Sequence, residues 1–305
     1  TAGMPPRPAR RVASPTMARL DRAGRIVLKG PDEEKMCPER IQATEVDYHV
    51  HSDQSPDASG SVEALCQRAV EIGLKEIVFT EHFDATPSDM AYKLYDYEKC
   101  RGIIDRMQEK FGDRLNVKLG IEIGYRPEQE TQIIEFLDGK EFEVVIGAIH
   151  WVERELLEDV CVGKTEEESQ INYFAALLPL VESGLFDVLA HLDLIKRYGT
   201  PLYGPFDTAK WMPHIEPVLQ KLVQNGIALE VNTSGVRQAP REPYPGLAVI
   251  KRYRELGGRT VTIGSDAHGV EELGSGVDTA AALLKEAGFK EFTRFDRRTP
   301  VPTPL

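Results

Sequence analysis

The chain has 305 residues, of which 41% are hydrophobic, and its formal net charge is −12. This length and apolar content suffice for one large or two small globular domains with a substantial core. The acidic balance argues against a nucleic-acid backbone as the main partner, and the lack of an apolar run of about 20 residues argues against a membrane span.

The cysteines are far apart in the sequence and include no CxxC pair, so neither a disulfide framework nor a thiolate zinc site is predicted. They are Cys37, Cys66, Cys100 and Cys161. No secretory signal is evident either. We therefore expect free thiols and a cytoplasmic protein.

Residues 1–44 contain several arginines and prolines and show little apolar periodicity. This pattern predicts a flexible N-terminal extension. The segment could serve as a basic tail for an acidic partner, but we favour a disordered leader without a function of its own.

Residues 45–293 read as one α/β domain, because short β-branched runs alternate with amphipathic helical stretches. The strand-like runs are 46–51, 76–82, 117–124, 144–150, 187–191, 227–232 and 260–267. Between the first two runs, apolar residues recur at helical spacing and stop at Gly73, a typical C-terminal cap. The alternation predicts βα units around a parallel sheet. The proline-rich residues 294–305 are expected to form an irregular C-terminal tail.

Six of the seven histidines lie at or just beyond the C-terminal ends of predicted strands. They are His49, His51, His82, His150, His191 and His268. Two carboxylates, Glu122 and Asp266, reach the same edge, which is where parallel α/β folds bind ligands. Side chains from nearly every strand can converge only if the sheet closes. We therefore predict a barrel of seven βα units.

The spacing of these residues suits metal chelation. His49 and His51 are separated by one residue, which in a strand directs both imidazoles to the same face, and Asp266 and His268 repeat this spacing. Imidazole and carboxylate donors without thiolate favour zinc, manganese or iron. A single histidine is more often a core or loop residue, but six with two carboxylates predict a metal cluster. His214 lies in a helix-like stretch and is expected to be structural or exposed.

Five segments occur in the order that is typical of one known family. They are HVHSDQSPDASG at 49–60, EIG at 122–124, GAIHW at 147–151, AHLDLIKRYG at 190–199 and GSDAHG at 264–269. With these segments the chain resembles the polymerase and histidinol phosphatase (PHP) family. The segment NTSGVRQAPREPYP at 232–245 is similar to the histidinol-phosphatase branch in particular. The resemblance implies a distorted (β/α)7 TIM-like barrel with two or three divalent metal ions, of zinc, manganese or iron.

The resemblance also implies which residues hold each ion. The three sets are His49, His51, Glu122 and Asp266; Glu122, His150 and His191; and Asp57, His82 and His268. Asp57 departs from the family pattern, because many relatives have histidine at this position. An aspartate can still bind a metal, although it favours a harder ion. The alternative for Asp57 is a helix cap or a turn, and Asp53 could similarly orient a ligand or form a turn.

Arginines and loop residues near the same edge complete the predicted site. Arg197 and Arg237 follow the fifth and sixth predicted strands, and guanidinium forks match phosphate oxygens. The resemblance favours phosphate binding over the alternative of two surface arginines. Glu242 and Tyr244 are candidates for the remote part of the substrate. The predicted catalytic set is Glu122, Asp266, His268, Arg197 and Arg237.

The resemblance implies hydrolysis of a small-molecule phosphate ester, with L-histidinol phosphate, a precursor in histidine biosynthesis, as the first candidate. Another phosphomonoester or a nucleotide is the alternative within the family. Outside it, an amidohydrolase-like C–N hydrolase or a non-catalytic metal-binding barrel would also use a cluster of histidines. Amidohydrolases commonly bridge their metals with a modified lysine, and no lysine occupies the corresponding strand end here.

Overall fold

The computed structural model describes residues 41–305, so most of the predicted N-terminal extension lies outside the described residues. Within the described residues, regular structure is already present before residue 45. A 3₁₀ turn at Ala43–Glu45 leads into the first strand, and Ala43 is buried in the core. The expectation that residues 41–44 belong to the extension was therefore wrong, because Ala43 packs with the barrel.

Strands and helices alternate along most of the chain. The strands are β1 (Val46–Val50), β2 (Glu76–Phe79), β3 (His82–Asp84), β4 (Asn116–Leu119), β5 (Ile121–Gly124), β6 (Val145–Ala148), β7 (Trp151–Val152), β8 (Glu155–Leu156), β9 (Val188–Leu189), β10 (Ala228–Asn232), β11 (Val261–Gly264), β12 (Glu291–Asp296) and β13 (Thr299–Pro304). The helices are α1 (Val62–Glu71), α2 (Tyr97–Phe111), α3 (Glu130–Leu137), α4 (Glu166–Ser183), α5 (Ile195–Tyr203), α6 (Thr208–Asn225), α7 (Ser234–Arg237), α8 (Leu247–Glu255) and α9 (Val277–Glu286), and a second 3₁₀ turn precedes α3 at Pro127–Gln129.

The parallel strands form two sheets that join into one ring. One sheet has the order β1-β2-β4 and the other the order β11-β10-β9-β6-β5-β3. A bridge between Val50 and Ala267 connects β1 to the residues after β11. On the other side, Leu119 O accepts from Glu143 N at 2.7 Å, which links β4 to the segment before β6. The predicted distorted (β/α)7 barrel is confirmed.

Two predicted strands are each broken in the middle, and this break is the distortion. Residues 76–82 form β2 and β3, and residues 117–124 form β4 and β5. Strand β2 pairs with β1 and with β4, whereas β5 pairs with β3 and with β6. At the second break, a Cβ on Gly120 would lie 2.8 Å from Val78 Cγ1. A larger residue would therefore clash where the strands change partners.

The helices pack their apolar faces against the ring. In α6, the buried residues Trp211, Ile215 and Val218 recur at helical spacing, and Gly226 ends the helix in the left-handed region. Ser61 caps α1 by accepting a hydrogen bond from Ala64 N. Within residues 41–305, no helix is long and apolar enough to cross a bilayer.

The C-terminal segment is ordered, which corrects the expectation of an irregular tail at residues 294–305. Strands β12 and β13 form an antiparallel hairpin with Thr293 opposite Pro302. Prolines occupy alternate positions of β13, so the residues between them keep their N–H groups for the ladder, and Leu305 N donates to Lys290 O at 3.0 Å. The prediction of an irregular tail rested on the number of prolines and did not consider that they alternate with other residues.

The hairpin is attached to the barrel through a buried carboxylate. Arg294 Nε donates to Glu76 Oε1 at 2.9 Å, and Lys118 Nζ lies 3.3 Å from Glu76 Oε2. Tyr48 also donates to Glu76 and accepts from Phe295 N. Because Glu76 is fully buried, its charge requires these partners.

We expect Arg294→Ala to lower the free energy of unfolding by about 2–4 kcal/mol, because it leaves a buried carboxylate with less compensation. Urea unfolding of the metal-saturated protein measures this loss. The matched control is Arg297→Ala on the same hairpin, where the side chain is 83% exposed and the expected loss is below about 0.5 kcal/mol.

The same experiment has a pH dependence. Burial raises the pKa of Glu76, but hydrogen bonding with Arg294 and the charge of Lys118 bring it below the ordinary value of 4.5. The contribution of ionised Glu76 to the free energy of unfolding should be complete above pH 4.5. It should disappear as the pH falls through the lowered pKa of Glu76. A loss equal to that of Arg297→Ala at pH 7 would contradict the assignment.

Candidate metal centre

The predicted ligands converge at the carboxyl edge of the ring. His49 and His51 come from β1 and the residue after it, Asp57 from the loop before α1, Glu122 from β5, and the others from β3 or from positions just after β6, β9 and β11. Two of them, His191 and Asp266, have positive φ angles of 23° and 52°. Such backbone is unfavourable for residues other than glycine and is found where function constrains the chain.

Four ligand atoms outline one coordination position. His49 Nε2 lies 3.1 Å from His51 Nε2, 3.3 Å from Glu122 Oε2 and 3.6 Å from Asp266 Oδ1. His51 Nε2 lies 3.4 Å from each of the two carboxylate oxygens. A tetrahedral ion with bonds of about 2.0–2.1 Å needs ligand atoms about 3.3–3.4 Å apart. The four atoms therefore match a zinc-sized tetrahedron.

The two oxygens of Glu122 face different groups of imidazoles. Oε2 faces His49 and His51, whereas Oε1 lies 3.0 Å from His191 Nε2 and 3.5 Å from His150 Nε2. Glu122 is fully buried, and its Oε2 has no hydrogen-bond partner of good geometry among the described residues. A buried carboxylate oxygen requires compensation, which a metal ion held by the surrounding imidazoles would supply. The carboxylate is thus placed to bridge two ions.

A third group of ligands surrounds Asp57. Its Oδ2 lies 3.4 Å from His82 Nε2 and 3.4 Å from His268 Nε2. The other nitrogen of His82, Nδ1, lies 3.0 Å from Glu122 Oε2. His82 therefore connects the third group to the bridging carboxylate, a link that the family pattern did not indicate. The aspartate at position 57 reaches the cluster despite its departure from that pattern.

Burial and opposite charge set the ionisation of the cluster. Burial raises the pKa of Glu122, but the neighbouring His49 and His82 hold it well below its ordinary value. Asp266 behaves in the same way, whereas burial and two neighbouring histidines lower the pKa of His51 to about 3. Burial lowers the pKa of His49 and of His82, but the neighbouring carboxylates, Glu122 among them, raise it well above 6.5. A metal ion would take the place of these protons, because a ligating imidazole is neutral.

A second buried carboxylate, Glu230, orients the cluster from outside and was missed by the sequence reasoning. Its Oε1 lies 2.6 Å from His49 Nδ1, and its Oε2 accepts from His191 N at 2.9 Å and Asn232 Nδ2 at 3.0 Å. A Cβ on Gly264 would lie 2.6 Å from Glu230 Oε1, so this glycine permits the contact. The sequence signal was an acidic residue inside an apolar strand, ALEVN.

Glu81 organises the loop that carries Asp57 and was also missed. The buried carboxylate accepts from Ser52 Oγ at 2.5 Å and from Ser55 Oγ at 2.6 Å. Ser55 Oγ in turn accepts from His82 N at 3.0 Å. The loop is thereby held against the start of β3. Asp53 is an exposed turn residue here, since its N–H donates to Gly60 O.

A cavity of about 340 Å³ opens beside the cluster. Its wall includes Glu122, Asp266 and Arg197, and the Arg197 guanidinium lies 5.3 Å from the centre of the Tyr198 ring. Asp89 also lines the cavity, and its Oδ2 accepts from Trp151 Nε1 at 2.7 Å. This volume suits a small ligand.

The other candidates for substrate contact do not line this cavity. Arg237 Nη2 donates to the carbonyl oxygens of Ser265 and Asp266 at 3.0 and 3.3 Å, which places it beside the cluster. Tyr244 is fully buried and donates to Gln238 Oε1, so it cannot contact a substrate there. Glu242 binds a buried lysine instead of facing the cavity. For Glu242 and Tyr244 the prediction was wrong, because loop position does not determine side-chain direction.

His214 lies on α6, is partly buried, and has its ring 6.0 Å from the Trp211 ring.

Comparison with known proteins gives a consistent result. A sequence model of the PHP domain matches residues 47–234. Histidinol-phosphatase of Lactococcus lactis subsp. lactis is 30% identical over 254 residues, which cover 82% of this chain and 94% of the relative. A probable histidinol-phosphatase of Deinococcus radiodurans is 27% identical over 262 residues, which cover 81% of this chain and 95% of the relative.

Solved structures agree with the fold. The crystal structure of the L. lactis histidinol phosphate phosphatase, complexed with zinc, L-histidinol and phosphate, superposes with a TM-score of 0.79 at 27% identity. The match covers 85% of this chain and 99% of that one. A putative histidinol phosphatase from Listeria monocytogenes has the same fold, with a TM-score of 0.65 at 19% identity. The match covers 77% of this chain and 99% of that one.

We expect Glu230→Gln to weaken metal binding about 10- to 100-fold, because the amide cannot polarise His49 as a carboxylate does. Competition with a chromogenic zinc chelator measures the affinity. Glu135→Gln, at an exposed position of α3, is the matched control and should bind metal normally. Equal affinity in both variants would remove Glu230 from the support of the cluster.

Proposed function

The chain belongs to the PHP domain family, and on this basis we propose that it is a metal-dependent phosphomonoesterase that hydrolyses L-histidinol phosphate to L-histidinol and phosphate. The observation that carries the proposal is the fully buried Glu122 carboxylate, whose two oxygens face separate groups of imidazoles beside an arginine-lined cavity. The L. lactis relative, solved with zinc, L-histidinol and phosphate, supports the choice of substrate. A role in histidine biosynthesis follows from the proposed reaction.

The ligand geometry supports up to three divalent ions, with zinc as the first choice because of its preference for imidazole and tetrahedral sites. The proposed sets are His49, His51, Glu122 and Asp266; Glu122, His150 and His191; and Asp57, His82 and His268. When bound, such ions lower the pKa of water, neutralise charge on the phosphoryl group and stabilise the departing alkoxide.

The chain's own side chains position the phosphate. Arg197 lines the cavity and has no ion-pair partner within residues 41–305, so its guanidinium is free to bind phosphoryl oxygens. Arg237 Nη1 is buried and has no hydrogen-bond partner among these residues, which leaves a donor for a second oxygen. Asp266 and His268 contribute to catalysis by shaping the charge around the reacting group.

The remote half of the substrate must contact other residues than those first expected. L-Histidinol carries an amine and an imidazole, both of which suit acidic partners. The cavity wall offers Asp89, held by Trp151, and Glu158, which has no ion-pair or hydrogen-bond partner in the described part of the chain. We assign these carboxylates to the cationic half, with Arg197 at the phosphate.

Removal of metals should abolish phosphate release, and added zinc should restore it, because no other group in the cavity supplies an equivalent charge. Glu122→Gln should lower kcat/KM more than about 100-fold. The loss of a ligand shared by two ions should reduce activity more than the loss of a residue that only orients a ligand. Elemental analysis should show fewer ions per chain in this variant. Glu109→Gln, at an exposed position of α2, is the control.

Near-normal turnover of Glu122→Gln, or full activity of a protein shown to be free of metal, would overturn the proposal. A panel that includes glycerol phosphate, a nucleotide and an N-acyl amide separates the alternatives. If kcat/KM were highest for the nucleotide or for the amide, the protein would have to be assigned to that substrate class instead.

Glu158→Gln should lower kcat/KM for histidinol phosphate about three- to tenfold while sparing glycerol phosphate, because only the first ester has a cationic half. Steady-state kinetics with both esters measure the selectivity. Asp159→Asn is the matched control, since the exposed Asp159 is adjacent in sequence but does not line the cavity. Equal losses on both esters would refute the assignment of Glu158.

A further inference from the structure

A lysine without a role in the reaction is buried next to the phosphate-binding arginines. The side chain of Lys196, in α5, is completely inaccessible. Its ammonium donates to Asp193 Oδ2, Glu242 Oε1 and Pro243 O, each at 2.9 Å. An ammonium has three donors, so all of them are used. Placing this charge in the interior requires such compensation, which makes Lys196 more than a space-filling residue.

The contacts of Lys196 join the two segments that carry the arginines. Lys196 precedes Arg197 directly, and Asp193 lies two residues after His191. Glu242 and Pro243 belong to the loop between β10 and α8, which begins with α7 and its last residue, Arg237. The ammonium therefore bridges the segment after β9 and the loop after β10.

A chain of contacts continues from this loop to Arg237. The Lys196 ammonium lies 5.1 Å from the centre of the Tyr244 ring, and Tyr244 donates to Gln238 Oε1 at 2.7 Å. Gln238 is adjacent to Arg237. A Cβ on Gly235 would lie 2.1 Å from Glu242 O, so α7 packs directly on the residues that Lys196 holds. A displacement of residues 242–244 would move α7 with them.

The same loop also reaches the metal ligands. The backbone groups of Asn232 and Tyr244 exchange hydrogen bonds of 2.9 and 2.8 Å. Asn232 Nδ2 donates to Asp266 Oδ2 at 3.2 Å. This second connection is made by the backbone pair itself, and Lys196 takes no direct part in it. The residue should therefore affect the arginines more than the metals.

From these contacts we propose that Lys196 is a positioning residue that sets the spacing of Arg197 and Arg237, and so the affinity for the phosphate group. The inference rests on the proposed function, since it assigns both arginines to phosphate. Lys196 itself contacts neither substrate nor metal. It acts by holding two chain segments at a fixed separation, and phosphate binding by two guanidinium groups is sensitive to that separation.

The test uses the zinc-loaded full chain and inorganic phosphate as the probe. Lys196→Met combined with Asp193→Asn removes the ammonium without leaving the buried Asp193 carboxylate unpaired. We expect the inhibition constant of phosphate and the KM to rise together by about tenfold, with a smaller change in kcat and an unchanged number of ions per chain. Lys251→Met is the control, because this lysine is 45% exposed and pairs with Glu286 on the surface.

A purely structural role would give a different result, namely a lower unfolding temperature and a smaller active fraction with unchanged KM and phosphate inhibition constant. That outcome would overturn the inference. Glu242→Gln provides a second measurement if the double variant does not fold, because its side chain is 43% exposed and tolerates replacement. It should raise the phosphate inhibition constant about threefold, and no change would also overturn the inference.

Failure of the proposed function would look different again. A wild-type protein that hydrolyses no phosphomonoester would refute the phosphatase assignment. Calorimetric titration of the zinc-loaded protein with phosphate would still show whether the Lys196 variants bind phosphate more weakly than the wild type.

Discussion

The buried carboxylate of Glu122 is the constraint around which the centre is built. An anion without contact with water is stable only when positive charge or donors face both of its oxygens. Here one oxygen faces His49, His51 and His82, and the other faces His150 and His191. Only a closed ring of strands brings side chains from so many elements to one point. The charge of Glu122 thus links the barrel topology to metal binding.

The cluster in turn imposes conditions on its surroundings. Glu230 fixes the His49 ring, Gly264 leaves room for that contact, and the backbone of His191 and Asp266 adopts positive φ angles. The positive φ angles have an energetic cost at the carboxyl edge, as is common where a site must be held in one geometry. Buried charges elsewhere attach further segments, because Glu76 binds Arg294 of the C-terminal hairpin and Lys196 joins the segment after β9 to the loop after β10.

The cavity wall carries groups for two kinds of recognition. The cluster and Arg197 suit an anionic phosphoryl group, whereas Asp89 and Glu158 of the same wall offer negative charge to a cationic substituent. All phosphomonoesters share the first set of contacts, so discrimination between them must come from the second set. The proposed preference for histidinol phosphate depends on the second set of contacts, whereas the role proposed for Lys196 concerns only the first set.

The barrel, the main helices and the convergence of the candidate metal ligands could be predicted from the sequence, because they follow from side-chain chemistry and short-range periodicity. Histidines at strand ends must meet if parallel strands close into a ring, and the resemblance to the PHP family assigned each of them to an ion. Other features were decided by the tertiary structure. Glu230 and Glu81 support the site through contacts between residues distant in sequence, and alternating prolines permit β13. Tyr244 and Glu242 turn away from the cavity, while Glu158 faces it, because packing between loops, rather than position along the chain, determines where a side chain points.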